Sequence, residues 1–495
     1  MTEHVDVLVV GAGLSGVGAA CRLRHDHPGR TLAVLEARGV IGGTWDLFRY
    51  PGVRSDSDMY TLGYAMRPWT GPKAIADGSS ILTYVRETAE ALGITDFVRF
   101  GHRVVSADWD SNTASWTVTV QRGDEPEPIF MKCSFLYLCT GYYCYDEGYS
   151  PDFPGVGSFR GAVVHPQHWP KHLDYTGLRV IVIGSGATAI TLVPALAETA
   201  EHVTMLQRSP TYVMALPSRD KLSSMLSCIL PAQLANPAIR WMNALIALGF
   251  YKLSRRRPEL VKSLLHKGAA RLLPAGYDVS THFTPDYEPW DQRLCIAPDG
   301  DLFRVLGDGR ATIITDQIDT FTERGIRLRS GAELLADIVV TATGLNLLVF
   351  GDIQLTVDGC PVDPGKAVAY KGLMLCDVPN LAWTIGYTNS SWTLKADLIA
   401  EYVSRLLTHM DTHGYDTVRP DAPGEAAEES ILNLRSGYVL RGAHQLPRQG
   451  DRDPWRVDQS YLRDIKLLRR GPVDDVVKFF RRRVAAKASE GHLSP

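Results

Sequence analysis

The chain has 495 residues, 45% of them hydrophobic and 22% charged, with a formal net charge of −3. That length suits about three domain-sized units, the composition is that of an ordinary globular protein, and the charge gives no reason to expect nucleic acid. Eight scattered cysteines show no paired metal spacing, which argues against a metal module or a disulfide scaffold and for reduced cytosolic thiols.

The first strand, 5-VDVLVV-10, begins at once, so no signal peptide is expected; the expected location is cytoplasmic, with membrane association left open. It runs into Gly11, Gly13, Ser15 and Gly16, then a helical segment at 17–24 and a second strand, 31-TLAVLE-36. This is βαβ grammar. Gly11 permits the tight turn, Gly13 admits backbone to a pyrophosphate, and Gly16 lets helix and strand pack. The helix start then faces the phosphates. Glu36 lies 25 residues after Gly11, where a carboxylate can accept from ribose hydroxyls and repel a 2′-phosphate. The stretch 41-IGGTWDLFRYPGVRSD-56 brings two more glycines, which a site for NAD alone does not need. FAD is therefore expected here, with Gly43, Thr44, Trp45 and Asp46 among its contacts and Asp56 at the end of the segment. A strand near Val104, in 101-GHRVVSADWD-110, is expected to hold the adenine with its backbone.

A second unit starts at 179-RVIVIGSG-186, with Gly184, Ser185, Gly186, Thr188 and Ala189 as its turn. Its helix, 187–199, is expected to kink or restart at Pro194. The following strand, 202-HVTMLQRS-209, ends in Gln207 and Arg208 where the first unit has Glu36. An arginine there favours a 2′-phosphate, so this site reads as one for NADPH. A solvated strand-end charge is the competing reading of Arg208. Residues 216–285 show helical patterning with basic clusters such as 255-RRRP-258. The apolar run 241–251 falls short of the roughly 20 residues a membrane span needs and is expected to be core or pocket wall.

Between the two Gly-rich turns lies 159-FRGAVVHPQHWP-170. Phe159, Gly161, His165, Trp169 and Pro170 match the fingerprint of type I Baeyer–Villiger monooxygenases, and Gly42, Gly43, Trp45, Tyr50, Pro51, Gly52 and Asp56 match a second pattern of that family. The chain resembles the family over nearly its whole length. The stretches 46–63, 142-YYCYDEGYSP-151 and 386-GYTNSSWTLKADL-398 further resemble its thioamide-activating (ethionamide-type) mycobacterial members.

The resemblance implies a reaction in which NADPH reduces FAD, O2 adds to give a C4a-peroxyflavin, and the peroxide attacks a ketone to yield an ester or lactone. It also implies S-oxygenation of thioamides. Arg293, in 289-PWDQRLC-295, matches the active-site arginine, with Asp56 as its orienting partner. Gln292 stands where several members carry lysine, which shifts the phosphate-binding load toward Arg208. Arg54 is expected at NADP or in a structural ion pair, and His165 in interdomain motion or an ordinary hydrogen bond. The segment 386–398 is expected to be a loop leading into a helix capped by Asn389, Ser390 or Ser391, with Trp392 in the pocket or the core. The strands 135–143 and 337–346 resemble the crossover strands of two-dinucleotide flavoproteins.

Three rivals stand beside this reading. A flavin disulfide reductase would need a redox pair such as Cys139 and Cys144, but Cys139 ends a strand far along the chain from the first helix. A flavin monooxygenase acting only on S or N atoms shares the layout. A non-catalytic NADPH or flavin sensor would keep both Gly-rich turns without Arg293 and Asp56.

The expected fold is α/β, with two dinucleotide-binding Rossmann-like domains and a helical insert at 216–285. Residues 1–145 and 370–495 would form the FAD domain and 146–369 the NADPH domain. The expected partners are O2 and a small ketone or thioamide. The basic stretch 463–483 reads as a solvated helical tail that, with the insert, leaves peripheral membrane contact open. Oligomeric state is not legible in the sequence.

Overall fold

A computed structural model describes residues 2–424, 429–432 and 434–482. Its first sheet is built around the parallel strands Val98–Phe100, Leu32–Glu36, Glu3–Val10 and Ile129–Leu138. Alternation along these strands makes two cores. Val7, Val9, Phe135 and Tyr137 face helices Leu14–Asp26 and Trp392–His413, while Leu8, Val10, Leu136 and Leu138 face the other side with Trp109 and Trp116. Besides pairing with Glu3–Val10, Ile129–Leu138 is long enough to serve two partners along its other edge. Its first half pairs antiparallel with Ser115–Arg122, and its last residues pair parallel with Leu381–Trp383.

The second sheet is all parallel, in the order Ala311–Thr315, His202–Gln207, Arg179–Ile183, Ile338–Thr341, Ala162–Val164. Its helix, Ala187–Leu196, runs unbroken through Pro194 instead of restarting there. The missing amide of Pro194 forgoes only the bond to the Ile190 carbonyl, two residues before the helix ends. Between His202–Gln207 and Ala311–Thr315 the chain makes the helices Lys221–Ile229, Ala232–Arg256, Pro258–Leu272 and Val279–Phe283.

The chain crosses between the sheets twice, and the crossings run side by side: Tyr143–Gly148 pairs antiparallel with Leu345–Leu347. The return comes earlier than residue 370. Gln354–Val357 and Cys360–Pro361 already lie in the first sheet, because Ile353 and Leu355 complete its second core.

The C-terminal stretch also departs from expectation. Val477–Phe480 is a strand paired with Thr417–Pro420, and Arg469 and Lys478 are tied to Glu401 and Asp421. The strand and these ion pairs tie it to the fold, so it is not a free helical tail, although Lys466 and Arg470 are exposed without an ion pair among the described residues; residues 483–495 lie outside the described residues.

The link holding His165 is packed between the crossings. The His165 Nε2 lies 3.2 Å from the Gly344 carbonyl oxygen, and a Cβ on Gly148 would fall 2.0 Å from the imidazole ring. Burial pushes the His165 imidazole below its usual value, with the Gly344 carbonyl partly offsetting that. The folded state therefore resists a proton that the unfolded chain accepts below about pH 6.5, so this group costs stability as pH falls through that value. A His165→Gln variant is expected to lose less stability than the parent between pH 7 and pH 5, measured by urea unfolding at each pH.

Asp46 is 1% exposed and receives Arg38, Arg49 and Arg86, at 2.5, 2.9 and 2.9 Å. It ties the segment after Gly43 to the helix Gly78–Ala91. Asp46→Ala is expected to cost about 2 kcal/mol, less than a fully buried pair because the arginines reach solvent; thermal unfolding of the two proteins measures it.

Candidate functional site

A single cavity of about 1350 Å³ is lined by both Gly-rich turns. At the first, Gly11 has φ +100°, and a Cβ there would lie 2.7 Å from the Cys139 carbonyl oxygen. A Cβ on Gly16 would overlap the Gly11 carbonyl oxygen, so the helix Leu14–Asp26 can start only with glycine at that point. Its N-cap is Gly13, with no side-chain cap, which leaves the first-turn N–H groups to the cavity. Glu36 is buried at the end of its strand and accepts from the Ala12 and Arg38 amides at 2.7 and 2.9 Å. Burial raises its carboxyl above the usual range, and those two amides pull it part of the way back.

The second turn repeats the geometry. Gly184 has φ +133° against the Ala342 carbonyl, and Gly186 caps the helix Ala187–Leu196 without a side chain. Ser185 donates to the Ser209 carbonyl at 2.8 Å. Arg208 is exposed, lines the cavity and has no ion-pair partner among the described residues. A third helix start also faces the cavity. Ser391 is the N-cap of Trp392–His413, yet its hydroxyl is engaged with Thr61 at 2.5 Å instead of capping, so the polar helix end stays open beside Ser390 and Trp392. Asn389, the other cap candidate, donates to the Gln459 carbonyl.

The segment 42–56 binds the two turns together. A Cβ on Gly43 would lie 2.9 Å from the Gly13 Cα, and Gly52, at φ +77°, presses on Thr191 and Ala195 of the second unit's helix. Tyr50 is buried in the second unit's core, facing the Thr188 hydroxyl. Asp56 follows, with its Oδ2 3.9 Å from the Arg293 Nε. Burial raises the Asp56 carboxyl, while Arg293 and then Arg54 lower it. For Arg293 burial opposes the charge, but the Asp56 carboxylate overrides it and holds the guanidinium above its usual value. Arg293 is a fixed cation at neutral pH, half-buried on the cavity wall.

Several expected contacts prove to be supports behind the wall. The Asp46 carboxylate is occupied by its three arginines. Gln207 is buried and donates to the His282 carbonyl and the Thr315 hydroxyl, pinning the strand end that presents Arg208. Gly16 and Ala189 act through close packing. Arg54 is paired with Asp301 at 2.5 Å, the structural alternative, although it still lines the cavity. Phe159 packs in the second sheet's core, Gly161 presses on the Asp337 carbonyl and Trp169 stacks edge-on with Tyr175 ahead of Pro170; these fingerprint residues shape the interdomain link. Thr44, Trp45 and Val104 line the cavity. The insert, expected as core or pocket wall, contributes nothing to the lining, and Leu245 and Ile246 of its 241–251 run are 49% and 59% exposed.

What sequence reasoning missed is an aromatic wall around Arg293. Tyr142 stacks on Trp392 at 5.4 Å, Tyr142 and Tyr143 bring their hydroxyls to 3.2 Å, and Tyr143 meets Tyr438 edge-on at 6.4 Å. Trp392 donates to the Ser15 hydroxyl at 2.6 Å, which fixes its ring over the first turn. The tyrosine run at 142–145 was visible in the sequence, but nothing there connected it to Arg293 or to Tyr438. Cys139 lies against the first turn, closer to the first helix than its chain position suggested. Burial pushes its thiol up to about 12, far from the reactive thiolate of a redox pair.

The glycine cradles, the bare helix starts and the size of the cavity fit two dinucleotides. Residues 72–256 match the flavin-binding monooxygenase-like family, and residues 9–74 match the NAD(P)-binding Rossmann-like domain. The FAD-containing monooxygenase EthA of Mycobacterium tuberculosis is 54% identical over 98% of this chain and 99% of its own. The putative FAD-containing monooxygenase MymA of the same species is 49% identical over the full length of both. Among solved structures, an oxidised steroid monooxygenase bound to NADP superposes with a TM-score of 0.77 at 21% identity, covering 97% of this chain and 100% of its own. An open form of cyclohexanone monooxygenase gives 0.70 at 19% identity, covering 85% of this chain and 90% of its own. With the same architecture and relatives matched end to end at about half identity, this chain belongs to the family of FAD-containing flavin monooxygenases.

Proposed function

We propose that the protein is an NADPH- and O2-dependent Baeyer–Villiger monooxygenase that converts ketones to esters or lactones and also oxygenates thioamide sulfur. The observation that carries this reading is the Arg293–Asp56 pair, set in the same cavity as both Gly-rich turns. In the balanced reaction NADPH supplies two electrons, one oxygen atom enters the product and the other leaves as water. FAD, when bound, supplies the oxygen-activating chemistry.

The chain's residues supply position and field. In this reading the first turn and Glu36 hold FAD, with Gly43, Thr44, Trp45 and the Val104 strand along it. Gly184, Ser185, Gly186 and Thr188 take the NADP pyrophosphate side, and Arg208 takes its 2′-phosphate. Arg293 offers a permanent positive charge where negative charge develops, and Asp56 orients it. The open start of Trp392–His413 adds a second electropositive element on the same cavity. Tyr142, Tyr143, Tyr438 and Trp392 form a wall that limits water around the reacting atoms. Thioamide oxygenation follows from the resemblance of 46–63, 142–151 and 386–398, and the cyclohexanone monooxygenase superposition accords with a ketone substrate.

The deciding experiment mixes the yellow holoprotein with NADPH, air and a simple methyl ketone, and seeks an ester one oxygen heavier by mass spectrometry. An ester supports the reading. NADPH consumption with H2O2 release and no ester from a series of ketones, but an S-oxide from a thioamide, leaves an S-monooxygenase. Absence of NADPH consumption leaves a sensor.

Arg293→Ala is expected to retain NADPH-driven flavin bleaching under anaerobic conditions while ester formation drops by about a hundredfold or more, the size of one lost electrostatic contact. Ester formation at the parent rate would remove Arg293 from this role. Arg208→Ala is expected to cut the NADPH-over-NADH preference in kcat/KM at least tenfold, mostly through KM, as loss of a charged hydrogen bond of about 1.5–3 kcal/mol requires. An unchanged coenzyme ratio would assign the 2′-phosphate elsewhere.

A further inference from the structure

The helical insert lines no part of the cavity, yet it exposes apolar side chains in ordered stripes. On Lys221–Ile229, Leu222, Met225 and Ile229 stand at i, i+3 and i+7, with exposures of 46%, 51% and 67%. On Ala232–Arg256, Leu234, Trp241 and Leu245 stand at i, i+7 and i+11, again one face, at 62%, 39% and 49%. On Pro258–Leu272, exposed Leu260 and Leu264 share their stripe with Lys267 and Arg271. The opposite faces are the ones held by the fold. Ala235, Ile239 and Ala244 are buried, and Arg240 reaches Asp397 at 2.7 Å.

The charge of this region is as distinctive as its apolar face. Residues 219–272 carry ten Lys and Arg against two Asp and Glu, a surplus of eight positive charges in a chain whose total is −3. Three of the cations are spent on ion pairs: Arg240 with Asp397, Arg255 with Asp291, and Lys262 with Glu259 and Glu288. Arg256, Arg257, Lys267 and Arg271 are exposed with no ion-pair partner among the described residues.

An apolar stripe interleaved with free cations is the pattern of a helix that lies in a membrane interface, its leucines in the acyl boundary and its cations at anionic headgroups. No helix among the described residues is long and apolar enough to cross a bilayer, so the contact is peripheral. A second copy of the chain is the poorer occupant, because two such surfaces would bring like charge against like. We propose that the insert, residues 219–272, is a docking surface for anionic lipid bilayers.

Two variants of the full-length holoprotein separate the elements of this surface. One is Arg256→Gln with Lys267→Gln and Arg271→Gln. The other is Leu222→Ser with Met225→Ser and Ile229→Ser. All six side chains are exposed and outside the cavity, so both variants are expected to keep the yellow colour and the parent rate of NADPH oxidation. Sedimentation with vesicles of phosphatidylglycerol and phosphatidylcholine is compared with phosphatidylcholine alone, at low and high salt.

The parent is expected to sediment with the anionic vesicles and to be released by salt. The charge variant should bind about a hundredfold more weakly, since each cation near such a surface contributes roughly a factor of five. The serine variant should bind at least tenfold more weakly. A parent that stays in the supernatant, or variants that both bind as the parent does, would overturn the proposal. So would a concentration-dependent dimer of the parent that the serine variant abolishes in the absence of vesicle binding, since that assigns the surface to a second copy. The readout is sedimentation rather than turnover, so it stands apart from the proposed ketone and thioamide chemistry.

Discussion

The structure depends on one close approach: the segment 42–56 wedged between the start of the first unit's helix and the body of the second's. At one end the Gly43 backbone meets Gly13, and at the other Gly52 sits on Thr191 and Ala195 of the second unit's helix. Neither contact tolerates a Cβ without backbone movement. The wedge fixes the distance between two Gly-rich turns that no sheet connects, and it ends on Asp56, which reaches Arg293. One short stretch of chain thus sets the mutual position of both Gly-rich turns and the cation beside them. The three arginines on Asp46 hold that stretch down, with a buried carboxylate as their common anchor.

The electrostatics follow from that arrangement. Three helices begin at the cavity with no side-chain cap, an expense in unsatisfied N–H groups that an apolar pocket would not repay. The acceptors nearby are sequestered: Glu36 by two backbone amides, Asp46 by arginines, Asp56 by Arg293. At the helix starts the free groups are therefore donors and cations, suited to phosphates and to negative charge developing in a reaction, while the wider lining also carries the exposed carboxylate of Asp152. The aromatic wall of Tyr142, Tyr143, Tyr438 and Trp392 lowers the local dielectric around Arg293 and so strengthens its field.

The insert shows the opposite balance. Its inner face is small and tied to the body by Ala235, Ile239, Ala244 and Arg240, while its outer face keeps leucines and cations in water. Periodicity alone marks such helices as amphipathic, and a reader of sequence assigns the apolar stripe to the interior. Here the buried stripe is made of smaller residues and the larger side chains point outward. Side-chain size in one dimension carries no sign of which face meets the body.

Sequence by itself determined the two βαβ turns, because strand periodicity, glycine spacing and the residue at the second strand's end are all local. It determined Arg208 and Glu36 as opposed signals at equivalent positions, and through motif resemblance it picked out Arg293 with Asp56. Tertiary structure decided what depends on long-range packing. It placed Tyr438 against Tyr143, nearly three hundred residues away in the chain, and set Arg54 on Asp301. It withdrew Asp46 and Gln207 from the cavity surface to support it, moved the return crossing ahead of residue 354, and drew the C-terminal basic stretch into ion pairs and a strand. The division has a physical cause. A turn's conformation is written by its own few residues, whereas the partner of a charge or an aromatic ring is chosen by whichever distant segment the folded chain brings within a few ångströms.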